Sequence, residues 1–158
     1  MTTVWVYAEV TPGGPSPSAL ELLTKARTIG DEVAAVALGP GATAAAPALG
    51  EHGAPRVYAS DEEVYADTLG RPATHTLHAL IREHSPDLVL FSTSYDARDV
   101  AGRLQAMLGS TLMSNATEVV GAGTLRIGCG VVVVPLLKMR HTYVWRYKGM
   151  GPGASSPG

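Results

Sequence analysis

The sequence predicts a doubly wound α/β domain, in which a mostly parallel sheet carries helices on both faces. Strand-like runs alternate with helical patterns over the first two-thirds of the 158 residues, and parallel neighbouring strands require such a crossover between them. The strand-like runs are also apolar without interruption, as expected of strands that are covered on both faces. A chain of this length suits a single domain that needs no disulfide or metal to stabilise it.

Each element follows from a local pattern. Runs of apolar and β-branched residues predict four strands, at Val4–Val10, Glu32–Leu38, Arg56–Ala59 and Asp87–Ser92. Apolar residues at helical spacing predict five helices. The first runs from Ser18 to Gly30, the second over about 42–52, and a short third one starts at Ser60. The fourth follows Pro72 and is ended by Pro86, and the fifth follows the loop Thr93–Asp96 and is closed by Gly109.

Capping signals predict where two of these helices begin and where the first one ends. Ser18 with Glu21, and Ser60 with Glu63, have the form of capping boxes, in which the hydroxyl and the carboxylate each satisfy an exposed backbone N–H. Gly30 is expected to end the first helix in the left-handed conformation.

The composition changes near Val119. All 14 acidic residues lie within residues 1–118, together with seven bases, whereas residues 119–158 hold five bases and no acid. Short β-prone pieces between glycine-rich turns predict an antiparallel extension on the sheet edge, and these pieces are Glu118–Val120, Leu125–Ile127, Val131–Val134 and Thr142–Tyr147. The expected organisation is an α/β domain at 1–126, a β-prone extension at 127–148 and a disordered tail at 149–158.

Charge and composition exclude several classes of protein. The formal net charge of −2 gives no field that would steer the chain to nucleic acid or to an acidic membrane. Cys129 is the only cysteine, which excludes a disulfide within the chain. The N-terminus has no signal-peptide pattern, and the apolar run Val131–Leu137 is far below the ~20 residues that span a bilayer. We expect a cytoplasmic protein without direct membrane insertion.

Two glycine-containing loops follow predicted strands, which is where doubly wound sheets bind ligands. Thr11–Gly14 and Gly39–Ala42 have glycines that would let backbone N–H groups approach a phosphate. Neither loop matches G-x-G-x-x-G, and neither has the lysine of a P-loop. The pattern therefore favours simple turns for both loops.

The loop after the fourth strand is the most informative one. Thr93, Ser94 and Tyr95 stand at a strand end and are candidates for contact with a ligand or a partner. The alternative is helix capping, with Asp96 and Asp99 compensating the helix dipole. Because two acids at a helix start would repel a bound phosphate, the pattern disfavours an anion site here.

No catalytic or metal site is predicted. His75 and His78 lie one turn apart on a predicted helix, but no further ligand stands at a fitting spacing, so no metal is expected. Cys129 has no C-x-x-C partner and is expected to be a plain thiol. Lys138–Lys148 alternates bases with aromatic residues, a pattern of single-strand nucleic-acid binders and also of ordinary strands. We favour the interpretation as an ordinary strand, and no nucleic-acid partner is expected.

Several segments in a fixed order resemble one protein family. VWVYAEV, SALELLTKARTIGDEVAAVALG and EHGAPRVYASDEEV are similar to the opening of electron transfer flavoprotein alpha subunits. The closest match is HSPDLVLFSTSYDARDVAGRLQAMLGSTLMSNATEV, which adds Arg103 to the candidate contact residues. The resemblance spans about residues 3–125 and carries no catalytic motif.

The resemblance implies an electron carrier rather than an enzyme with its own active site. In this family an alpha and a beta subunit together hold one FAD. The FAD takes electrons from acyl-CoA or other primary dehydrogenases, as in fatty acid oxidation, and passes them to a membrane-linked oxidoreductase of the respiratory chain. The FAD is bound mainly by a second alpha-subunit domain, C-terminal to the matched region. That domain is expected to be absent here, so the resemblance assigns no FAD-binding residue to this chain.

The sequence departs from the family pattern after residue 126, in the stretch that also lacks acids. These two observations motivate the hypothesis that a reading-frame change or a truncation replaced the usual end. Two other functions remain open at this point. One is a small nucleotide-binding protein of the universal-stress or ATP-pyrophosphatase type, and the other is a ligand-free interaction domain.

Overall fold

The computed structural model describes residues 1–110, 112–121 and 124–135. The strands are β1 Thr3–Tyr7, β2 Val10–Thr11, β3 Gly14–Pro15, β4 Glu32–Leu38, β5 Arg56–Ser60, β6 Leu88–Phe91, β7 Met113–Gly121 and β8 Thr124–Pro135. The helices are α1 Pro17–Ile29, α2 Ala42–Glu51, α3 Val64–Asp67, α4 Arg71–His84 and α5 Tyr95–Leu108. No helix in the described ranges combines the length and the hydropathy needed to cross a bilayer.

Six strands form the main sheet, in the order β5-β4-β1-β6-β8-β7. The first four are parallel to one another, and each crossover between them contains at least one helix. Strand β8 lies antiparallel to β6, with Leu88 opposite Pro135, and β7 lies antiparallel to β8. The predicted doubly wound class and its antiparallel extension at the sheet edge are therefore confirmed.

Alternate residues of β1 enter two separate cores, one on each face of the sheet. Val4 and Val6 are completely buried with residues of α1 and α2. Trp5 and Tyr7 are buried on the opposite face with residues of α4 and α5. Because helices cover both faces, the central strands have no solvent side, which explains their unbroken apolar sequences.

Both predicted capping boxes are wrong. The N-cap of α1 is Ser16, whose Oγ accepts a hydrogen bond of 3.2 Å from the N–H of Ala19. Pro17 takes the first helical position, where its fixed φ suits the helix and its missing N–H costs nothing, so Ser18 already lies inside α1. Ser60 ends β5, and α3 begins only at Val64.

Gly30 ends α1, but not in the predicted left-handed conformation. Its φ of −113° and ψ of 145° are extended. A Cβ atom at this position would lie 2.7 Å from Cγ2 of the buried Val4. Glycine is therefore required for the close approach of α1 to β1, and not for an unusual φ angle.

Strand boundaries also differ from the predicted ones. Strand β1 ends at Tyr7, and Val10 instead pairs with Pro15 in the short β2–β3 hairpin. The two predicted pieces at 125–127 and 131–134 belong to the single strand β8. The predicted piece at 142–147 and the tail at 149–158 lie outside the described residues, and the division of the chain at 126 and 148 remains a prediction.

Candidate functional site

The candidate site is the crevice at the switch point of the sheet. After β1 the chain builds outward to β4 and β5, and it then returns to place β6 on the other side of β1. The segments that leave β1 and β6 at their carboxyl ends therefore diverge, one toward α1 and the other toward α5. In doubly wound sheets, ligands bind in the crevice between two such segments.

A carboxylate of the chain itself bridges this crevice. Glu9 follows β1, and its Oε2 accepts a hydrogen bond of 2.7 Å from the Ser94 hydroxyl. Its Oε1 accepts a second hydrogen bond from the hydroxyl of Ser92, which is buried at the end of β6. The main-chain carbonyl of Glu9 also accepts a bond of 2.9 Å from the N–H of Ser16, the N-cap of α1. We call Glu9, Ser92 and Ser94 the Glu9 bridge, because they tie the start of α1 to the start of α5.

Ser94 has a second role in the same bridge. It is the N-cap of α5, and its Oγ accepts a hydrogen bond of 3.0 Å from the N–H of Ala97. The hydroxyl therefore donates to Glu9 and accepts from the helix. Asp96 lies in the first turn of α5, where its charge compensates the helix dipole. The capping interpretation of this loop is confirmed for Ser94.

The electrostatics of the crevice are acidic. Tyr7, the last residue of β1, is buried, with its ring centroid 5.4 Å from that of Phe91. Burial, and after it the negative charges of Glu9 and Asp96, raise the pKa of Tyr7 well above its usual value. The phenol therefore stays neutral, and an anion in the crevice would face two carboxylates.

The four predicted contact residues lie along one segment but not in one site. Ser94 is committed to the Glu9 bridge, and Thr93 beside it is partly buried. Tyr95, the first residue of α5, is 91% exposed. Arg103 lies further along α5, where its Nε is 2.9 Å from Oδ2 of Asp99. A contact role for these residues remains a prediction, and Tyr95 is the one that projects farthest into solvent.

Sequence reasoning does not find Glu9. The run VWVYAEV predicts one continuous strand to Val10, which makes the glutamate an ordinary strand residue. Its role depends on which strand lies beside β1, and sequence pattern does not give strand order. No local signal marks Glu9, because its partners Ser92 and Ser94 lie 83 and 85 residues away along the chain.

The two glycine loops are turns, as predicted. Thr11–Gly14 forms the tip of the β2–β3 hairpin, with the Thr11 hydroxyl donating to the carbonyl of Gly14 at 3.0 Å. Gly39 and Gly41 in the second loop have φ angles of 121° and 86°, which favour glycine. The helix that follows, α2, has an acidic partner at its start, since the N–H of Thr43 donates to Oδ1 of Asp61 at 2.9 Å.

Replacing Asp61 by asparagine is expected to loosen the first turn of α2 at neutral pH. Hydrogen bonds from the side chain and the N–H of Thr43 lower the pKa of Asp61. A lowered folded-state pKa stabilises the fold above the unfolded value of ~3.9, and this contribution disappears as the pH falls through the folded pKa. Amide exchange at Thr43 should therefore be faster in Asp61→Asn than in the parent at neutral pH, with the difference closing in acid.

Glu62→Gln is the matched control, because Glu62 is the exposed acid next in sequence. It should leave exchange at Thr43 unchanged. A difference for Asp61→Asn that persists unchanged in strong acid would contradict the charge-based explanation.

The histidines of the described residues do not converge on a common site. His75 and His78 lie on α4, and no group of three or more histidine, cysteine, aspartate or glutamate residues in the described part of the chain could hold a metal ion. His84 instead lies against the rings of Tyr58 and Trp5, at centroid distances of 5.1 and 5.8 Å.

Comparison with known proteins agrees with this architecture. A family model described as the electron transfer flavoprotein domain matches residues 4–134. The electron transfer flavoprotein subunit alpha of Syntrophomonas wolfei is 36% identical over 124 residues, which are 78% of this chain and 39% of that protein. The subunit of the same name from Mycobacterium tuberculosis is 32% identical over 120 residues, 75% of this chain and 38% of that protein. Protein FixB of Rhizobium meliloti is 29% identical over 123 residues, 73% of this chain and 35% of that protein.

The fold and the crevice define a doubly wound α/β domain whose switch point is bridged by its own glutamate. The chain belongs to the electron transfer flavoprotein family, as an alpha-subunit N-terminal domain. It spans about 39% of the length of the Syntrophomonas wolfei relative. The resemblance is confirmed, and the family match reaches residue 134, beyond the expected limit at residue 125 and into the segment that lacks acids.

Proposed function

We propose that this chain serves as the N-terminal part of an alpha-type electron transfer flavoprotein subunit. It joins a beta-type subunit, the complex holds FAD, and the FAD carries electrons from acyl-CoA or other primary dehydrogenases to the respiratory chain. Family membership and the names of the relatives support the alpha-type role. A cytoplasmic heterodimer that serves fatty acid oxidation is part of the same proposal.

The Glu9 bridge is the observation that supports an assembly role for this domain. A pyrophosphate at the switch point would meet the carboxylates of Glu9 and Asp96, and the start of α2 is already occupied by Asp61. The residues at the carboxyl edge of the sheet therefore do not fit the pyrophosphate of FAD. We assign the domain a role in organising the complex, and none in holding the flavin.

Co-expression with the beta-type subunit from the same source tests this proposal. The beta-type subunit should copurify with this chain when this chain alone is tagged. Flavin absorption of the purified material then shows whether the complex holds FAD. The tagged chain expressed without the beta-type subunit is the control, and it should be free of flavin.

Measurements on the same samples distinguish the competing functions. Because a ligand that binds only the folded state raises the unfolding temperature, stabilisation of the isolated chain by ATP would favour the nucleotide-binding alternative. An isolated chain that retains FAD through purification would contradict the assembly role. A monomer that binds neither the beta-type subunit nor a nucleotide would favour the interaction domain without a ligand.

A further inference from the structure

Strand β5 forms an open edge of the main sheet. Among the residues that the structure describes, it pairs only with β4, and no further main-chain hydrogen bond reaches Val57 or Ala59. Its five residues, RVYAS, include neither proline nor lysine, the residues that commonly keep an edge strand from pairing, and each of the five is at least partly exposed. An edge of this kind is a template for a further strand.

The pairing with β4 shows which main-chain groups are free. The carbonyl of Ser60 accepts a hydrogen bond of 2.8 Å from the N–H of Gly39, which follows β4, so this carbonyl points toward β4. Neighbouring residues of a strand direct their main-chain groups to opposite sides. Tyr58 therefore faces β4 as Ser60 does, whereas the N–H and C=O groups of Val57 and Ala59 point to the open edge.

The spacing of these free groups fits a second copy of the same edge in antiparallel orientation. In an antiparallel hydrogen-bonded pair, two opposed residues exchange both of their N–H···O bonds. When Tyr58 of one copy lies opposite Tyr58 of the other, Val57 of each copy faces Ala59 of the other. Every free main-chain group of both residues then gains a partner. A two-fold axis perpendicular to the sheet produces this arrangement, because both copies use the same patch.

The neighbouring symmetric registers fit less well. An axis at Val57 would place Ala59 opposite Pro55, which has no N–H to donate. An axis at Ala59 would place Val57 opposite Asp61, which lies beyond the end of β5 and whose carboxylate is bonded to the start of α2. The register with Tyr58 at the axis is therefore the one that pairs every free group.

The side chains at the axis also match. The ring of Tyr58 is partly buried, with its centroid 5.1 Å from the ring of Trp5 and 5.1 Å from that of His84. At the axis the two Tyr58 residues form a non-hydrogen-bonded pair, which is the type that brings side chains closest together. Aromatic residues opposed in this way stabilise strand pairing. The aromatic cluster of one copy thus continues into that of the other.

Charge favours a second copy as the occupant. Strand β5 begins with Arg56 and is followed directly by three acids, Asp61, Glu62 and Glu63. Antiparallel self-pairing brings Arg56 of each copy near the acids of the other, at both ends of the interface, and opposite charges across strands are stabilising. A strand from residues 119–158 would contain bases but no acid, and would leave Arg56 without an opposite charge.

We propose that two copies of this chain pair through β5, with a two-fold axis at Tyr58, so that their six-stranded sheets become one continuous sheet. Main-chain hydrogen bonds between Val57 of each copy and Ala59 of the other join the edges, and Arg56 faces the acids that follow β5 of the partner copy. This pairing goes beyond the proposed function and does not depend on it.

The full chain alone tests this pairing without any substitution. Sedimentation should change from that of a monomer to that of a dimer as the concentration rises from about 10 μM to about 1 mM. Amide exchange at Val57 and Ala59 should slow about tenfold once most of the protein is dimeric, because their N–H groups are bonded only in the dimer. Tyr58 and Ser60 face β4 in both states and provide the internal control, with little change.

Ala59→Pro removes a donor from the open edge and leaves the bonds to β4 in place, and edge strands accept proline at such a position. It should raise the dissociation constant of the dimer about 30-fold, because each dimer loses two of its main-chain hydrogen bonds. Ala59→Ser is the matched control, since it changes the same exposed side chain and keeps the N–H. It should leave the dissociation constant unchanged within about twofold.

Charge reversal tests the two ends of the interface. Arg56→Glu should raise the dissociation constant about tenfold at low salt, and Glu62→Lys with Glu63→Lys should do the same. A chain that carries all three substitutions should recover the dimer, because opposite charges meet again across the axis. Such recovery is expected of self-pairing and not of a partner with a different sequence.

Four outcomes would overturn the proposal. The first is a chain that stays monomeric up to about 1 mM, and the second is a dimer that responds neither to Ala59→Pro nor to Arg56→Glu. Protection of the Val57 and Ala59 amides in the monomer at every concentration would show that a segment of the same chain covers the edge. Protection that develops only when the beta-type subunit is added would show that this subunit covers it.

Discussion

Phe91→Ala is expected to lower the free energy of unfolding by about 3–5 kcal/mol. Phe91 is fully buried at the end of β6, and its ring lies 5.4 Å from that of Tyr7, centroid to centroid. The residue is also part of the core beneath α4 and α5. Central strands covered on both faces cannot move inward to fill the space left by the ring, so most of the cavity should remain. Denaturant unfolding of the full chain measures the loss.

Two further substitutions make this result specific. Leu69→Ala removes a similar apolar group at a position that is 74% exposed, and it should change the free energy of unfolding by less than about 0.5 kcal/mol. Phe91→Leu keeps most of the side-chain volume and should cost clearly less than Phe91→Ala, so it provides a folded reference if the alanine variant aggregates. Equal stabilities of Phe91→Ala and Leu69→Ala would show that β6 is not a core strand.

The sequence predicts the central sheet well because burial on both faces makes the strand sequences apolar without interruption. Strand β4 has the predicted bounds, Glu32–Leu38, since every position except its ends is covered by helices and is therefore apolar. The end of α5 at Gly109 is also as predicted, and this glycine has a left-handed φ of 61°. Local pattern and tertiary environment agree at these positions.

A local sequence pattern predicts the wrong structure where a neighbouring residue or a tertiary contact determines the conformation instead. The Ser18 capping box is a valid pattern, but Pro17 next to it fixes an earlier start for α1. The glycines around Cys129 predict a turn, yet β8 continues through them with a shift in register, in which Ala116 of β7 stands opposite both Ile127 and Val131. Gly30 ends α1 as predicted, but it is required for the close approach to Val4 and not for a left-handed φ.

The candidate site likewise contains one contact that local sequence predicts and one that it does not. Ser94 is recognisable in sequence as a helix cap, because capping depends on residues three positions apart. Its second partner, Glu9, is 85 residues away along the chain. That contact exists only because β6 returns beside β1, so no local pattern contains it.

Glu9→Ala is expected to lower the free energy of unfolding by about 2–4 kcal/mol. The substitution removes the acceptor for the hydroxyls of Ser92 and Ser94, and an unpaired buried donor costs roughly 1–3 kcal/mol. It also releases the N-cap of α5 from the segment after β1. Amide exchange at Ala97, which donates to Ser94, should therefore speed up more than exchange in the last turn of the same helix.

A double-mutant cycle identifies the bridge as the cause. If Glu9 and Ser92 act through their mutual hydrogen bond, the losses from Glu9→Ala and Ser92→Ala should overlap by 1 kcal/mol or more in the double variant. Simple additivity of the two losses would contradict a bridge between them. Glu9→Gln is the conservative comparison, since its amide oxygen still accepts one of the two bonds and should retain part of the stability.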